Sequence, residues 1–122
     1  MRILLIEDDS GLGSAVRDQL EAEGHSPDWV QTLADAGDAA RVVPYDLILL
    51  DLDLPDMNGL DVLRQIRVSR IDTPILILTG SDDTEIKLRG FGFGADDYMT
   101  KPFHREELVA RIQAIIRRSK GH

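Results

Sequence analysis

Three consecutive acids, Glu7-Asp8-Asp9, follow the apolar run Ile3-Leu4-Leu5-Ile6, and a further acid, Asp51, ends the run Leu47-Ile48-Leu49-Leu50. Thr79 closes another run, Ile75-Leu76-Ile77-Leu78, and Lys101 stands between the short segment Asp97-Tyr98-Met99-Thr100 and Pro102. Carboxylates gathered in one water-accessible cleft repel each other unless a hard divalent cation neutralises them, and Mg²⁺ takes such oxygen ligands while keeping several waters. An ionised Asp51 beside that cation is a nucleophile toward phosphorus, because the metal screens both its charge and that of an incoming phosphoryl group. The Lys101 ammonium can pair with phosphoryl oxygens and the Thr79 hydroxyl can donate to another, so each charge created on transfer meets a partner. Taken singly, these residues have plainer explanations: Asp8 or Asp9 as a helix cap, Thr79 as a strand-end hydroxyl, Lys101 as a solvated cation. Their occurrence in chain order, at the ends of successive apolar segments, favours the chemical reading.

Those segments must be strands for the polar residues to meet. Ile3–Ile6 is short, unbroken and bounded by charge, as a strand buried on both faces of a parallel sheet should be. Ser10 is the expected N-cap of a helix carrying Leu12, Val16 and Leu20 up to the stop at Gly24. An extended segment at Ser26–Val30 precedes Leu33, Ala36, Ala39 and Ala40, a helical spacing that ends near Pro44. Asp46–Leu50 is the clearest strand. It runs into a loop from Asp51 to Gly59 rich in turn formers, including Pro55, Asp56, Met57 and Asn58, before Val62, Leu63 and Ile66 mark another helix. Pro74 opens the strand Ile75–Leu78, which ends at Thr79-Gly80-Ser81. A helix is expected from about Asp82 to Phe91, weakened at its end by Gly90, Gly92 and Gly94. The strand Asp97–Thr100 is stopped by Pro102, and Leu108, Ile112, Ile115 and Ile116 stripe a last helix from about Arg105. Five strand-helix alternations imply an α/β three-layer sandwich on a parallel sheet, and such sheets bind ligands at the carboxyl ends of their strands.

The 122 residues suit one domain, and 43% hydrophobic against 30% charged residues is the balance of an ordinary globular chain. No apolar run approaches a bilayer span and the opening segment is too short for a signal peptide, so no membrane association and a cytoplasmic location are expected. The absence of cysteine excludes disulfide scaffolds, zinc ribbons and thiol nucleophiles. A formal net charge of -8 repels phosphate backbones, so DNA contact is expected only through a separate part. The tail Arg117-Arg118-Ser119-Lys120-Gly121-His122 reads as cations at a helix C-terminus leading into a linker.

The residues Leu4-Leu5-Ile6-Glu7-Asp8-Asp9, Tyr45 through Leu52 with Leu54-Pro55 and Gly59, Leu78-Thr79, and Gly94 through Phe103 together resemble the receiver domain of bacterial two-component response regulators. The resemblance covers essentially the whole chain and is closest to the OmpR/PhoB class. It implies a flavodoxin-like fold with strand order 2-1-3-4-5 and five helices, residues 1–122 forming one receiver domain. A winged-helix DNA-binding domain is expected beyond His122. It also implies roles. Asp51 becomes the phosphoacceptor, and Glu7, Asp8, Asp51 and the main-chain carbonyl of Asp53 the Mg²⁺ ligands, with Asp9 peripheral. Thr79 and Tyr98 become a switch pair in which the ring turns inward on phosphorylation, and the Lys101-Pro102 bond is cis. The partners implied are a sensor histidine kinase or phosphotransfer protein and, on phosphorylation, a second copy of the chain. That second copy would dock on the face of the fourth helix, fifth strand and fifth helix, where Lys87 with Glu107, Asp97 with Arg111, and Asp96 match positions of intermolecular ion pairing. The bland alternative for these is exposed charge contributing roughly 0 to 1 kcal/mol. The chain departs from the family at Gly80, where alanine is commoner, and at Gly92, which replaces an acid. Asp53 and Ser81 sit where family side chains tune attack of water on the phosphoryl group.

Two other classes fit parts of the pattern. Asp51-Leu52-Asp53 after a buried strand also resembles aspartyl-phosphate phosphatases of the haloacid dehalogenase type, but no acidic pair follows a further strand beyond Lys101 and the acidic cluster precedes the nucleophile. An inert module of the same fold, dimerising without phosphorylation, is the third reading.

Overall fold

The unbroken apolar runs Ile3–Ile6, Leu47–Leu50 and Ile75–Leu78 demand cover on both faces, and the computed structural model supplies it. The elements, in chain order, are β1 (Arg2–Ile6), α1 (Ser10–Ala22), β2 (Ser26–Val30), α2 (Leu33–Val42), β3 (Leu47–Asp51), α3 (Gly59–Val68), β4 (Ile75–Thr79), α4 (Thr84–Gly92), β5 (Asp97–Thr100) and α5 (Arg105–Ser119). The five strands are all parallel and lie in the order β2-β1-β3-β4-β5, the expected order. The structure describes residues 1–54, 58–80 and 83–119; Pro55, Asp56 and Met57 of the expected turn, Ser81, the expected helix start at Asp82, and the tail residues Lys120, Gly121 and His122 lie outside it.

Strand alternation divides the core in two. Leu4, Ile6, Ile48, Leu50, Ile75, Ile77 and Tyr98 pack with Leu33 and Ala36 of α2 and with Leu63 and Ile66 of α3. Ile3, Leu5, Leu47, Leu49, Leu76, Leu78 and Met99 pack with Val16 and Leu20 of α1 and with Leu108, Ile112 and Ile115 of α5. Each layer is a period-two face of the sheet meeting a period-3.6 stripe of a helix.

Two local expectations are corrected. The N-cap of α1 is Asp9, whose carboxylate accepts from the Leu12 amide at 2.9 Å, and Ser10 is already helical. An ionised carboxylate at Asp9 also complements the helix dipole, which a serine hydroxyl does less well. The fourth helix begins at Thr84 behind the N-cap Asp83, and Gly90 lies close against the sheet: a Cβ there would come within 2.8 Å of Ile77 Cδ1.

The Lys101-Pro102 peptide is cis, as the resemblance implies. Among the described residues no helix is long and apolar enough to cross a membrane.

Candidate functional site

Register brings the polar residues together. Ile6 pairs with Leu50, Asp51 with Leu78, and Thr79 with Thr100, so Glu7, Asp51, Thr79 and Lys101 arrive at one edge of the sheet, each within one residue of level with its neighbour on the next strand. Tight approach of the following loop is secured by Gly59, where a Cβ would stand 2.9 Å from the Leu52 Cα.

Asp51 is 1% exposed. Its Oδ2 accepts from Lys101 Nζ at 2.8 Å and its Oδ1 accepts from the Asp53 amide at 2.8 Å. Glu7, equally buried, accepts from the Asp9 amide through Oε2 at 3.2 Å. Its Oε1 lies 2.9 Å from Lys101 Nζ, a charge contact whose angles leave that oxygen without a hydrogen bond. Desolvation first, then the neighbouring Asp51 carboxylate, push the Glu7 carboxyl up to about 7, against the lowering effect of Lys101 and the Asp9 amide. For Lys101, burial alone would depress the ammonium, but its contacts with Asp51 and Glu7 outweigh that and raise it above its ordinary value.

The donor set fits a hard cation. Glu7, Asp8 and Asp51 each offer a carboxylate oxygen, all within 4.8 Å of one another, and Asp8 is open to water. One buried oxygen of Glu7 lacks a hydrogen-bond donor, which a divalent cation and its waters would satisfy. The arrangement has one ammonium for three carboxylates, and a single cation cannot neutralise them.

The profile of the response regulator receiver domain matches residues 3–113. The chain belongs to that family. Over its full length this receiver domain is 54% identical to the cell cycle transcriptional regulator CtrA of Caulobacter vibrioides, covering 53% of that protein. It thus spans about half the length of the curated relatives it matches. Among solved structures it resembles the non-phosphorylated HemR receiver domain of Leptospira biflexa, with 40% identity, a TM-score of 0.89, and 94% of this chain and 93% of that one covered. It also resembles the receiver domain of a sensor histidine kinase of Pseudomonas aeruginosa, which has a magnesium ion coordinated in its active site cleft. There the identity is 31%, the TM-score 0.86 and the coverage 94% and 96%. The receiver family, and not the phosphatase class, accounts for this chain's acidic cluster and strand-end Asp51.

Other expected residues of the receiver domain take varied positions. Thr79 is 1% exposed, and its hydroxyl donates to Asp53 Oδ1 at 2.8 Å instead of turning to Asp51. Tyr98 is buried within the α2/α3 core layer, with Lys87 Nζ 5.1 Å from its ring centroid. Arg111 joins Asp97 and Glu107 within the chain, at 3.0 and 3.2 Å. Asp96 is held at the opposite end of β5 from Lys101, where it accepts from Arg67 Nη2 at 3.1 Å and from the Ile75 amide at 2.8 Å.

Two participants were missed, and the contacts of a third were not foreseen. Trp29 donates from its indole N–H to the Glu7 carbonyl at 2.8 Å, and its ring leaves no room for a Cβ at Gly13. Arg67 donates to the carbonyls of Gly94, Ile71 and Thr73, tying the ends of α3 and α4 to the start of β4. The Asp53 side chain, expected from the resemblance only at a position that tunes attack of water, spans Thr79 and Gly80. A lone strand Trp and a turn Asp carry no local signal for such contacts; an Arg on the polar side of a helix stripe carries none either.

Proposed function

We propose that this chain is the Mg²⁺-dependent phosphoacceptor domain of a two-component transcriptional response regulator, taking a phosphoryl group on Asp51. The observation that carries this reading is the buried Asp51 carboxylate held by Lys101 inside a cluster of three carboxylates. Glu7, Asp8, Asp51 and the main-chain carbonyl of Asp53 would hold Mg²⁺, which when bound supplies the positive charge that lets a carboxylate and a phosphoryl group approach. Asp51, ionised and fixed by two hydrogen bonds, presents a carboxylate oxygen to phosphorus. A bond from that oxygen to phosphorus forms as the bond to the donor's leaving group breaks, and the electron pair departs with the leaving group. With acetyl phosphate the leaving group is acetate; with a kinase or phosphotransfer protein it is a histidine. Lys101 Nζ then shares its protons with phosphoryl oxygens, and the Thr79 hydroxyl donates to another.

The output we propose is a population shift: phosphorylation biases Thr79 and Tyr98 and with them α4, β5 and α5, and a second copy docks there. Leu88 and Phe91, one helical turn apart on α4, are 65% and 46% exposed, an apolar patch beside Lys87 that supports such docking. Asp96, Asp97, Glu107 and Arg111 would reorganise their pairs across the interface. DNA binding belongs to a separate winged-helix domain, and the setting is the cytoplasm.

Intact mass after incubation with acetyl phosphate and Mg²⁺ tests the reading. Wild type is expected to gain one phosphoryl group and Asp51→Asn none. Wild type that gains none from acetyl phosphate or from a phosphorylated kinase, and binds no Mg²⁺, would return the chain to the inert-module class.

A further inference from the structure

The two donors at the end of β4 already hold an anion. Thr79 Oγ1 donates to Asp53 Oδ1 at 2.8 Å and the Gly80 amide donates to Asp53 Oδ2 at 2.6 Å, so both carboxylate oxygens are engaged. The same residue's amide donates to Asp51 Oδ1, which places this clamp directly beside the reactive carboxylate. From this geometry we infer that the Asp53 carboxylate is a built-in competitor for the phosphoryl group: it occupies the Thr79 hydroxyl and Gly80 amide in the resting form and must be displaced before they can serve an anion on Asp51. Asp53 is thus a positioning residue, acting through Thr79 and Gly80. The inference rests on the phosphoacceptor reading.

The physical case is one of stoichiometry and charge. A hydroxyl has one proton to donate, and while it lies along the Asp53 contact it is not directed at a group on Asp51. Hydrogen bonds to an ionised acceptor are about twice as strong as neutral ones, so the clamp is a real bias toward the resting arrangement. Asp53 is nonetheless exposed, so its carboxylate can leave into water without a burial penalty, and a doubly negative phosphoryl group nearby repels it. The clamp therefore raises the threshold for activation without blocking it.

The test is the affinity for beryllofluoride, a stable phosphoryl mimic, in Mg²⁺ buffer, read by titration of NMR amide signals in wild type, Asp53→Asn and Asp53→Ala. Removing the competitor is expected to tighten binding by about fivefold or more in Asp53→Ala, with Asp53→Asn between. The effect should shrink to about twofold or less when Thr79→Val is already present, because the contested hydroxyl is then gone. In metal-free protein without fluoride the Gly80 amide proton should move upfield and exchange faster in Asp53→Ala. Equal tightening in both backgrounds would mean a plain charge effect, and unchanged or weaker binding with an unmoved Gly80 amide would mean no clamp; either overturns the inference. Wild type that binds no beryllofluoride, yet shows the Gly80 shift on mutation, would instead sink the phosphoacceptor reading while leaving the contact itself established.

Discussion

Two clusters in this molecule have the same composition, one cation and two carboxylates, and opposite settings. Lys101 lies 2.8 Å from Asp51 and 2.9 Å from Glu7, both 1% exposed; Arg111 lies 3.0 Å from Asp97 and 3.2 Å from Glu107, whose side chains are 22% and 41% exposed. The distances are nearly equal, so distance cannot rank them. The medium does. A contact of this kind is roughly 1 kcal/mol in water and roughly 4 kcal/mol at the effective dielectric of a protein's outer layers. Inside the pocket, one carboxylate responds by holding its proton to near neutrality, and the charges remain poised for an incoming group. On the α5 face the same charges are solvated, cheap to separate, and free to be rearranged by a second chain.

The largest expected effect is at Lys101. Lys101→Met leaves two buried carboxylates without their cation, and urea denaturation at pH 8 in metal-free buffer should show a loss of about 3 to 5 kcal/mol. Part of that loss should return at pH 6, as Glu7 takes up a proton. A cost at pH 8 no greater than that of Arg111→Ala would break the comparison.

The pH dependence of Glu7 comes next. Its folded-state value, about 7, is above the ordinary 4.5, so the folded chain binds more protons than the unfolded one between those values. The stability it contributes is fully present below about 4.5 and is lost as pH rises through 7, on the order of 3 kcal/mol in total. In metal-free protein, Glu7→Gln should therefore gain on wild type between pH 5 and pH 8. Mg²⁺, which needs the ionised carboxylate, should stabilise wild type more at pH 8 than at pH 6. A wild-type-minus-mutant difference that is flat with pH would refute the assignment.

Arg67 separates burial from charge as the cause. Its partners are mainly main-chain carbonyls, joined by the Asp96 carboxylate. Arg67→Ala should cost about 2 kcal/mol by thermal or urea unfolding, because those carbonyls lose their donor. The smallest effect is expected on the α5 face: Arg111→Ala should change monomer stability by about 0.5 kcal/mol while altering the dimerisation of the phosphorylated form. A monomer destabilised by several kcal/mol there would mean that exposure does not grade these clusters.

Legibility followed sequence separation. The runs Ile3–Ile6, Leu47–Leu50 and Ile75–Leu78 announced buried parallel strands, and an acid, an acid and a threonine at their ends were enough to assemble Glu7, Asp51 and Thr79 on one edge. The Ser10 cap was misplaced by one residue, since Asp9 and Ser10 are both good caps and only the chain's approach to α1 chooses between them. The contacts of Trp29, Arg67 and the Asp53 side chain went unread because each works across 20 or more residues, to Glu7, Gly94 and Thr79.

By itself the sequence determined the alternation of strands and helices, the two-sided burial of the sheet, and the identity of the polar residues at its carboxyl edge, because these depend on periodicity and on residue type. Only the tertiary structure decided which donor each carboxylate meets: that Glu7 keeps an oxygen without a hydrogen bond, that Asp96 braces Arg67, and that Asp53 holds the Thr79 hydroxyl away from Asp51. The reason is physical. Strand formation is encoded in neighbours along the chain, whereas a hydrogen bond between side chains is settled by angles and distances of a few tenths of an ångström, which exist only once distant segments have packed.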